Sequence, residues 1–220
     1  MYPTSGKQVA QEGVVSGECV KTNPAPAWQC NDKNLCVAVI DGLDLDAAKK
    51  LASEADSALV AIGTTSCEGY DRESLSFAQN AGVGCQLQPL GQDNLVSVIA
   101  AAAPTIVAMV APGAVLTPWR GDAKAIIHSF MPGQEYGNAL ADIIFGKVNP
   151  TARMPLTMPN VENEIGFTPA TYPGIDLQAN YSERMLIDYR WYTSKKVTPA
   201  FAFGTSCPFS SYLLFLSFQF

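Results

Sequence analysis

Three apolar runs, each closed by a glycine-bearing loop, set the terms for what this chain folds into. Ala58–Ile62 (ALVAI) runs into Gly63, Thr105–Val110 (TIVAMV) into Ala111-Pro112-Gly113, and Ala123–Phe130 (AKAIIHSF) into Met131-Pro132-Gly133. Short apolar runs bounded by turn residues read as buried strands. Gln92–Ala103 carries a strong helical pattern stopped by Pro104, and Gln134–Phe145 reads as a helix stopped by Gly146. Strand, helix, strand, strand, helix with short connections predicts the α/β class: an open, mostly parallel sheet sandwiched by helices on both faces. The three strand ends then lie along one carboxyl edge of that sheet.

The flanks read differently. Residues 1–34 show no period of 2 or 3.6 and contain Pro24-Ala25-Pro26, so an irregular arm or linker is expected there. Leu35–Ile40 is a short strand candidate, and Asp46 is expected to cap a helix running to about Ala55. Glu73–Leu90 reads as loop. After Asn149-Pro150 the composition changes. Arg153–Pro159 is too proline-rich for a central strand, residues 160–180 read as an extended loop, and Tyr181–Lys196 is aromatic and charged.

With 220 residues, 48% hydrophobic and 15% charged, the chain is long enough for one large domain with its own core. A net charge of -6 argues against a nucleic-acid partner, which selects a basic face. No apolar run approaches the roughly 20 residues of a membrane span; the nearest, Tyr212–Phe220, is far shorter. The first residues, MYPTSGKQVA, hold no apolar core of a signal peptide, and the compartment stays open. Six cysteines form no C-x-x-C pair. A disulfide among Cys19, Cys30 and Cys36 and a role as small buried hydrophobes are both open. Asn180-Tyr181-Ser182 is a glycosylation sequon, meaningful only in a secreted chain.

Nucleotide cofactors are not expected, because Gly82-Val83-Gly84 lies inside a loop and no phosphate-binding loop follows a strand. His128, alone of its kind, falls in a predicted buried strand without a nucleophile elbow, which argues against a Ser/His/Asp triad and a histidine metal site. What remains for chemistry is carboxylates: Glu68, Asp71, Glu73 and Glu135. Glu68 sits in the loop Gly63–Arg72 (GTTSCEGYDR) directly after a predicted strand, where open α/β sheets place their sites. On local residues alone, a catalytic carboxylate and a solvated surface glutamate both stay open.

Longer segments carry a resemblance. Glu68–Leu75 (EGYDRESL) resembles the corresponding segment of glycoside hydrolase family 3, the β-glucosidase and β-xylosidase family. Val115–Trp119 (VLTPW), Pro132–Asp142 (PGQEYGNALAD), Gly146–Thr157 (GKVNPTARMPLT), Tyr181-Ser182-Glu183 with Tyr189–Tyr192 (YRWY), and Phe201–Gly204 (FAFG) are similar to further family segments, in the family's order. The match covers the second, α/β sandwich domain of an enzyme whose nucleophilic aspartate lies in a preceding (β/α)8 barrel. With residues 1–34 read as an irregular arm or linker, the resemblance implies 35–204 as sandwich domain and 205–220 as a divergent or truncated tail. It implies Glu68 as the general acid/base and no cofactor. The partners it implies are a β-linked glycoside and a barrel in cis or trans. Many relatives are secreted, vacuolar or lysosomal.

A retaining glycosidase needs two carboxyl groups about 5–5.5 Å apart, and this chain is expected to supply one of them. In the isolated chain Glu68 is expected to titrate near the ordinary value of about 4.3. Asp71 and Arg72 read either as a charge pair bracing the loop, the favoured reading, or as lining of the sugar site. Glu135 reads as a helix-start cap suited to the dipole. Arg190, Trp191 and Tyr192 read as packing onto the sheet in preference to a sugar platform. The rival functional class is a non-catalytic carbohydrate-binding or protein-interaction module.

Overall fold

The computed structural model describes residues 44–64, 66, 72, 74–77 and 91–205, together with the backbone of three short strands at 14–16, 27–30 and 35–39. The described elements are β1 (Val14–Ser16), β2 (Ala27–Cys30), β3 (Leu35–Val39), α1 (Leu45–Ser53), β4 (Ala58–Gly63), α2 (Gln92–Ala102), β5 (Thr105–Val110), β6 (Ala125–His128), α3 (Tyr136–Ile144) and α4 (Tyr189–Lys195). They fall into two compact units. One comprises residues 1–112 and 118–133, the other 113–117 and 134–220.

The first unit is built on a parallel sheet in the order β4-β5-β6. Ala58 pairs with Thr105 through to Gly63 with Val110, and Ile106–Met109 pair with Ala125–His128. Bonds from Lys124 N to Thr105 O (2.8 Å) and from Ser129 N to Met109 O (2.9 Å) extend the ladder past both ends of β6, towards the expected span. β5 is central and β-branched, and its Val107 is fully buried. Helix α2 lies against β4 and β5, and α1 against α2. Leu95, Val96 and Ile99 of α2 are buried with Val60, Ile62, Val107 and Met109. Burying each such side chain contributes about 1.5–3 kcal/mol, so this interface holds the sheet and α2 together. Along β4, Val60 and Ile62 are buried whereas Leu59 is 53% exposed. The run that reads as uniformly apolar thus alternates inward and outward.

Three local readings are corrected. Asp44, not Asp46, caps α1: its Oδ1 accepts from Ala47 N at 2.9 Å. A cap must stand just outside the helix with its carboxylate aimed at the free amides, and Asp46 is already helical. The helix ends at Ser53, short of Ala55. The stretch expected to be irregular contains β1 and β2, which flank β3 in an antiparallel sheet. Two strands as short as VVS and AWQC are too brief to show a period. Their register sets Cys30 opposite Cys36.

The second unit is mostly turns. Met158, fully buried, forms an isolated bridge with Phe201, and Met154 exchanges backbone bonds with Gly204 and Thr205. The proline-rich segment therefore pairs without becoming a strand, as expected. Residues 163–167 close on themselves, with the Asn163 side chain accepting from Phe167 N (2.7 Å) and donating to Phe167 O (3.0 Å). Residues 206–220, which include most of the expected tail, lie outside the described residues.

Candidate functional site

Because the sheet is parallel, β4, β5 and β6 deliver their carboxyl ends to one edge, at Gly63, Val110 and His128. The loop that leaves β4 is the one that carries the sequence candidates. Glu68, Asp71 and Glu73 lie outside the described residues. Arg72 is described and half-buried.

The structure describes how the chain is held before and after these residues, at Gly63–Thr64 and at Ser74–Phe77. Gly63 N donates to Gln92 Oε1 at 2.8 Å, and Gln92 Nε2 donates back to Gly63 O at 2.9 Å. A carboxamide here makes the paired bonds that a neighbouring strand would make. Thr64 N donates to Val110 O at 2.9 Å, so the last turn of the ladder is closed on the other side as well. At the far end, Ser76 Oγ donates to Asp93 Oδ2 at 2.8 Å, and Ser74 Oγ accepts from Ser76 N at 3.0 Å. Phe77, fully buried, follows at once and fixes the chain in the core. The other oxygen of Asp93 accepts from Trp119 Nε1 at 2.7 Å, and Trp119 is 1% exposed. A buried carboxylate needs this many donors, since an unpaired one is costly in a low dielectric.

Sequence reasoning did not single out Gln92, Asp93 or Trp119 as members of one network. The signal was present: Gln92, Leu95, Val96 and Ile99 share one helical face at spacings of three, four and seven, and all are buried. A polar side chain on an otherwise apolar stripe must have a partner in the core.

The remaining candidates are dispersed. His128 ends β6, half-buried; its Nδ1 accepts from Phe130 N at 3.0 Å and its ring stacks on Phe130 at 3.9 Å. That is a strand-end lock formed by a lone histidine. Glu135 stands at the cap position of α3, yet its carboxylate accepts from the Asn138 side chain at 2.6 Å and takes no backbone amide. Tyr192 is buried in the second unit, where its hydroxyl donates to Glu164 Oε2 at 2.8 Å; Trp191 meets it edge-on at 5.1 Å. Arg190 is exposed and lies 5.8 Å over the Tyr189 ring. Among the described residues no helix is long and apolar enough to cross a membrane.

Comparison with known proteins agrees with this architecture. Residues 7–207 match the family model described as the glycosyl hydrolase family 3 C-terminal domain. A probable beta-glucosidase J of Emericella nidulans is 34% identical over 173 residues, 76% of this chain and 19% of that protein. The thermostable beta-glucosidase B of Acetivibrio thermocellus is 31% identical over 181 residues, 78% of this chain and 22% of that protein. Among solved structures, a beta-glucosidase from Streptomyces venezuelae in complex with D-glucose superposes with a TM-score of 0.68 at 32% identity, covering 79% of this chain and 22% of its own. The chain spans about a fifth of the length of the curated relatives it matches.

Proposed function

The chain belongs to glycosyl hydrolase family 3, as a C-terminal domain of the β-glucosidase-like kind, and on that premise we propose that it supplies Glu68 as the general acid/base of a retaining β-glycosidase. The observation that carries the reading is the strand-end loop pinned on both sides of Glu68, by Gln92 at Gly63 and by Asp93 at Ser76. An acid that must meet a glycosidic oxygen within hydrogen-bond reach needs such a fixed base. In the first step Glu68 donates its proton to the departing oxygen while a carboxylate attacks the anomeric carbon; in the second it takes a proton from the water that releases the sugar. The attacking carboxylate belongs to a (β/α)8 barrel outside these 220 residues, carried in cis or met in trans.

The relatives are named beta-glucosidases, which supports β-linked glucosides as substrates ahead of β-xylosides. Asp71 and Arg72 brace the loop. Residues 35–204 carry the body of the domain and 205–220 its tail, and the arm 1–34, most of which falls within the family match, adds β1 and β2 to β3. Alone, the chain is inactive, because the covalent step has no nucleophile.

The test is hydrolysis of 4-nitrophenyl β-glucoside by the 220-residue chain beside Glu68→Ala and Glu68→Gln, alone and then joined to a nucleophile-bearing barrel. The expected result is no turnover in any isolated form, and a loss on the order of 10²–10⁴-fold for both variants once the barrel is present. Turnover by the isolated chain that both variants abolish places a nucleophile within these residues and defeats the divided site. Full activity of the joined Glu68→Ala protein removes the acid/base role and leaves a non-catalytic module.

A further inference from the structure

We propose that Gln92 and Asp93, the first two residues of α2, are positioning residues for catalysis, holding the chain at Gly63 and Ser76, before and after Glu68 in sequence; this rests on the reading of Glu68 as the acid/base. Three observations converge. First, β4 is the edge of the parallel sheet among the described strands, and Thr64 donates to β5. Alternation along the strand turns the N–H and C=O of Gly63 to the opposite side, where Gln92 takes both at 2.8 and 2.9 Å. Second, the adjacent Asp93 takes Ser76 Oγ at 2.8 Å, so a single helix start holds one residue before Glu68 in sequence and one after it. Third, both side chains are fixed from behind. Gln92 is 4% and Asp93 9% exposed, and Trp119 Nε1 occupies the second oxygen of Asp93 at 2.7 Å.

Both side chains are buried and bonded within the protein. Their effect passes through the backbone of Gly63 and the hydroxyl of Ser76 to a side chain between them in sequence. A displacement of about 1 Å at a reacting group is enough to cost on the order of 10²-fold, so anchors of this kind act on the rate while leaving the sheet intact.

The test uses Gln92→Met, which keeps length and loses both bonds, Gln92→Glu, which keeps the acceptor and loses the donor, and Ser76→Ala, which frees one end only. In the 220-residue chain, amide exchange at Gly63 is expected to accelerate at least about ten-fold in Gln92→Met, with β5 amides unchanged. Unchanged exchange at Gly63 overturns the anchor. In the full enzyme, this chain with its nucleophile-bearing barrel, kcat/KM is measured on methyl β-glucoside and on 2,4-dinitrophenyl β-glucoside, whose leaving group needs no proton. The expected loss is about ten-fold or more on the first and under about two-fold on the second, because only the acid step is touched. Equal losses on both substrates mean a merely structural role and overturn the proposal. Glu68→Ala, run alongside, separates the two ideas. If it shows no leaving-group dependence, the acid/base reading fails and the catalytic role assigned to Gln92 and Asp93 fails with it, while the exchange data still judge the anchor. Should Gln92→Met not fold, Gln92→Glu and Ser76→Ala carry the same comparison.

Discussion

Tyr192 is 5% exposed, and its hydroxyl donates to a carboxylate that Asn160 also holds, through its backbone N (3.0 Å) and side chain (2.9 Å). Burial first, then the bond to Glu164 and the negative charges of Glu164 and Asp188, push the Tyr192 phenol well above its ordinary value. Folded, the phenol keeps its proton to higher pH than it does unfolded, where it ionises near pH 10, so the direction of the effect is determined. The stabilisation is fully present below about pH 10 and is lost as the pH climbs towards the folded-state value. Urea unfolding between about pH 9 and pH 11.5 should therefore show the parent losing stability more steeply than Tyr192→Phe, with the gap between them shrinking above pH 10. Parallel pH curves for the two proteins would mean that Glu164 does not hold the phenol. The same pair shows why this residue was hard to read in sequence. Tyr192 belongs to the run YRWY, where packing and sugar stacking look alike, and its true anchor, Glu164, is 28 positions away.

At the scale of elements, α2 depends on how it starts. Gly91 has φ 76° and ψ 19°, in the left-handed region, and its carbonyl accepts from Leu95 N at 2.9 Å to open the helix. A side chain there costs about 1–2 kcal/mol, and less for asparagine, which tolerates this region. Gly91→Ala should lower unfolding stability by about 1 kcal/mol and Gly91→Asn by less, measured from urea midpoints at constant slope. If both variants match the parent, the start of α2 is not constrained as described. Most elements of the parallel sheet were legible because periodicity, glycine and proline mark them strongly: β5 matches its expected span, and α2 ends one residue early. The sites of failure share a cause. Asp44 and Asp46 are equally good cap residues, and only backbone geometry chooses between them. The loop's anchors are not legible from the loop itself, because Gln92 and Asp93 stand on the buried start of a helix. Glu68 is marked by its place after a strand and, together with Asp71, by a motif, and both lie outside the described residues.

For the whole molecule, the divided site proposed above makes the effective concentration of one carboxylate about the other the governing quantity. The chain spans about a fifth of its curated relatives, and a displacement at the anomeric carbon needs both groups on opposite sides of one bond. A covalent connection between domains holds the second group at an effective concentration on the order of millimolar, without adding any contact. Micromolar chain mixed with a separate barrel has no such advantage, so its activity follows the fraction of barrel occupied. Titrating the 220-residue chain into a fixed amount of nucleophile-bearing barrel should thus give hydrolysis of 4-nitrophenyl β-glucoside that rises and saturates, below the rate of the covalent fusion at equal micromolar concentration. Glu68→Ala chain should occupy the barrel and compete with the parent without restoring turnover, which separates docking from proton transfer. A fusion that is silent would remove the divided site altogether, since connection in cis abolishes weak docking as an explanation. A fusion active with Glu68→Ala in place would assign the proton to a group elsewhere, and would leave the chain to act by holding substrate or barrel in place.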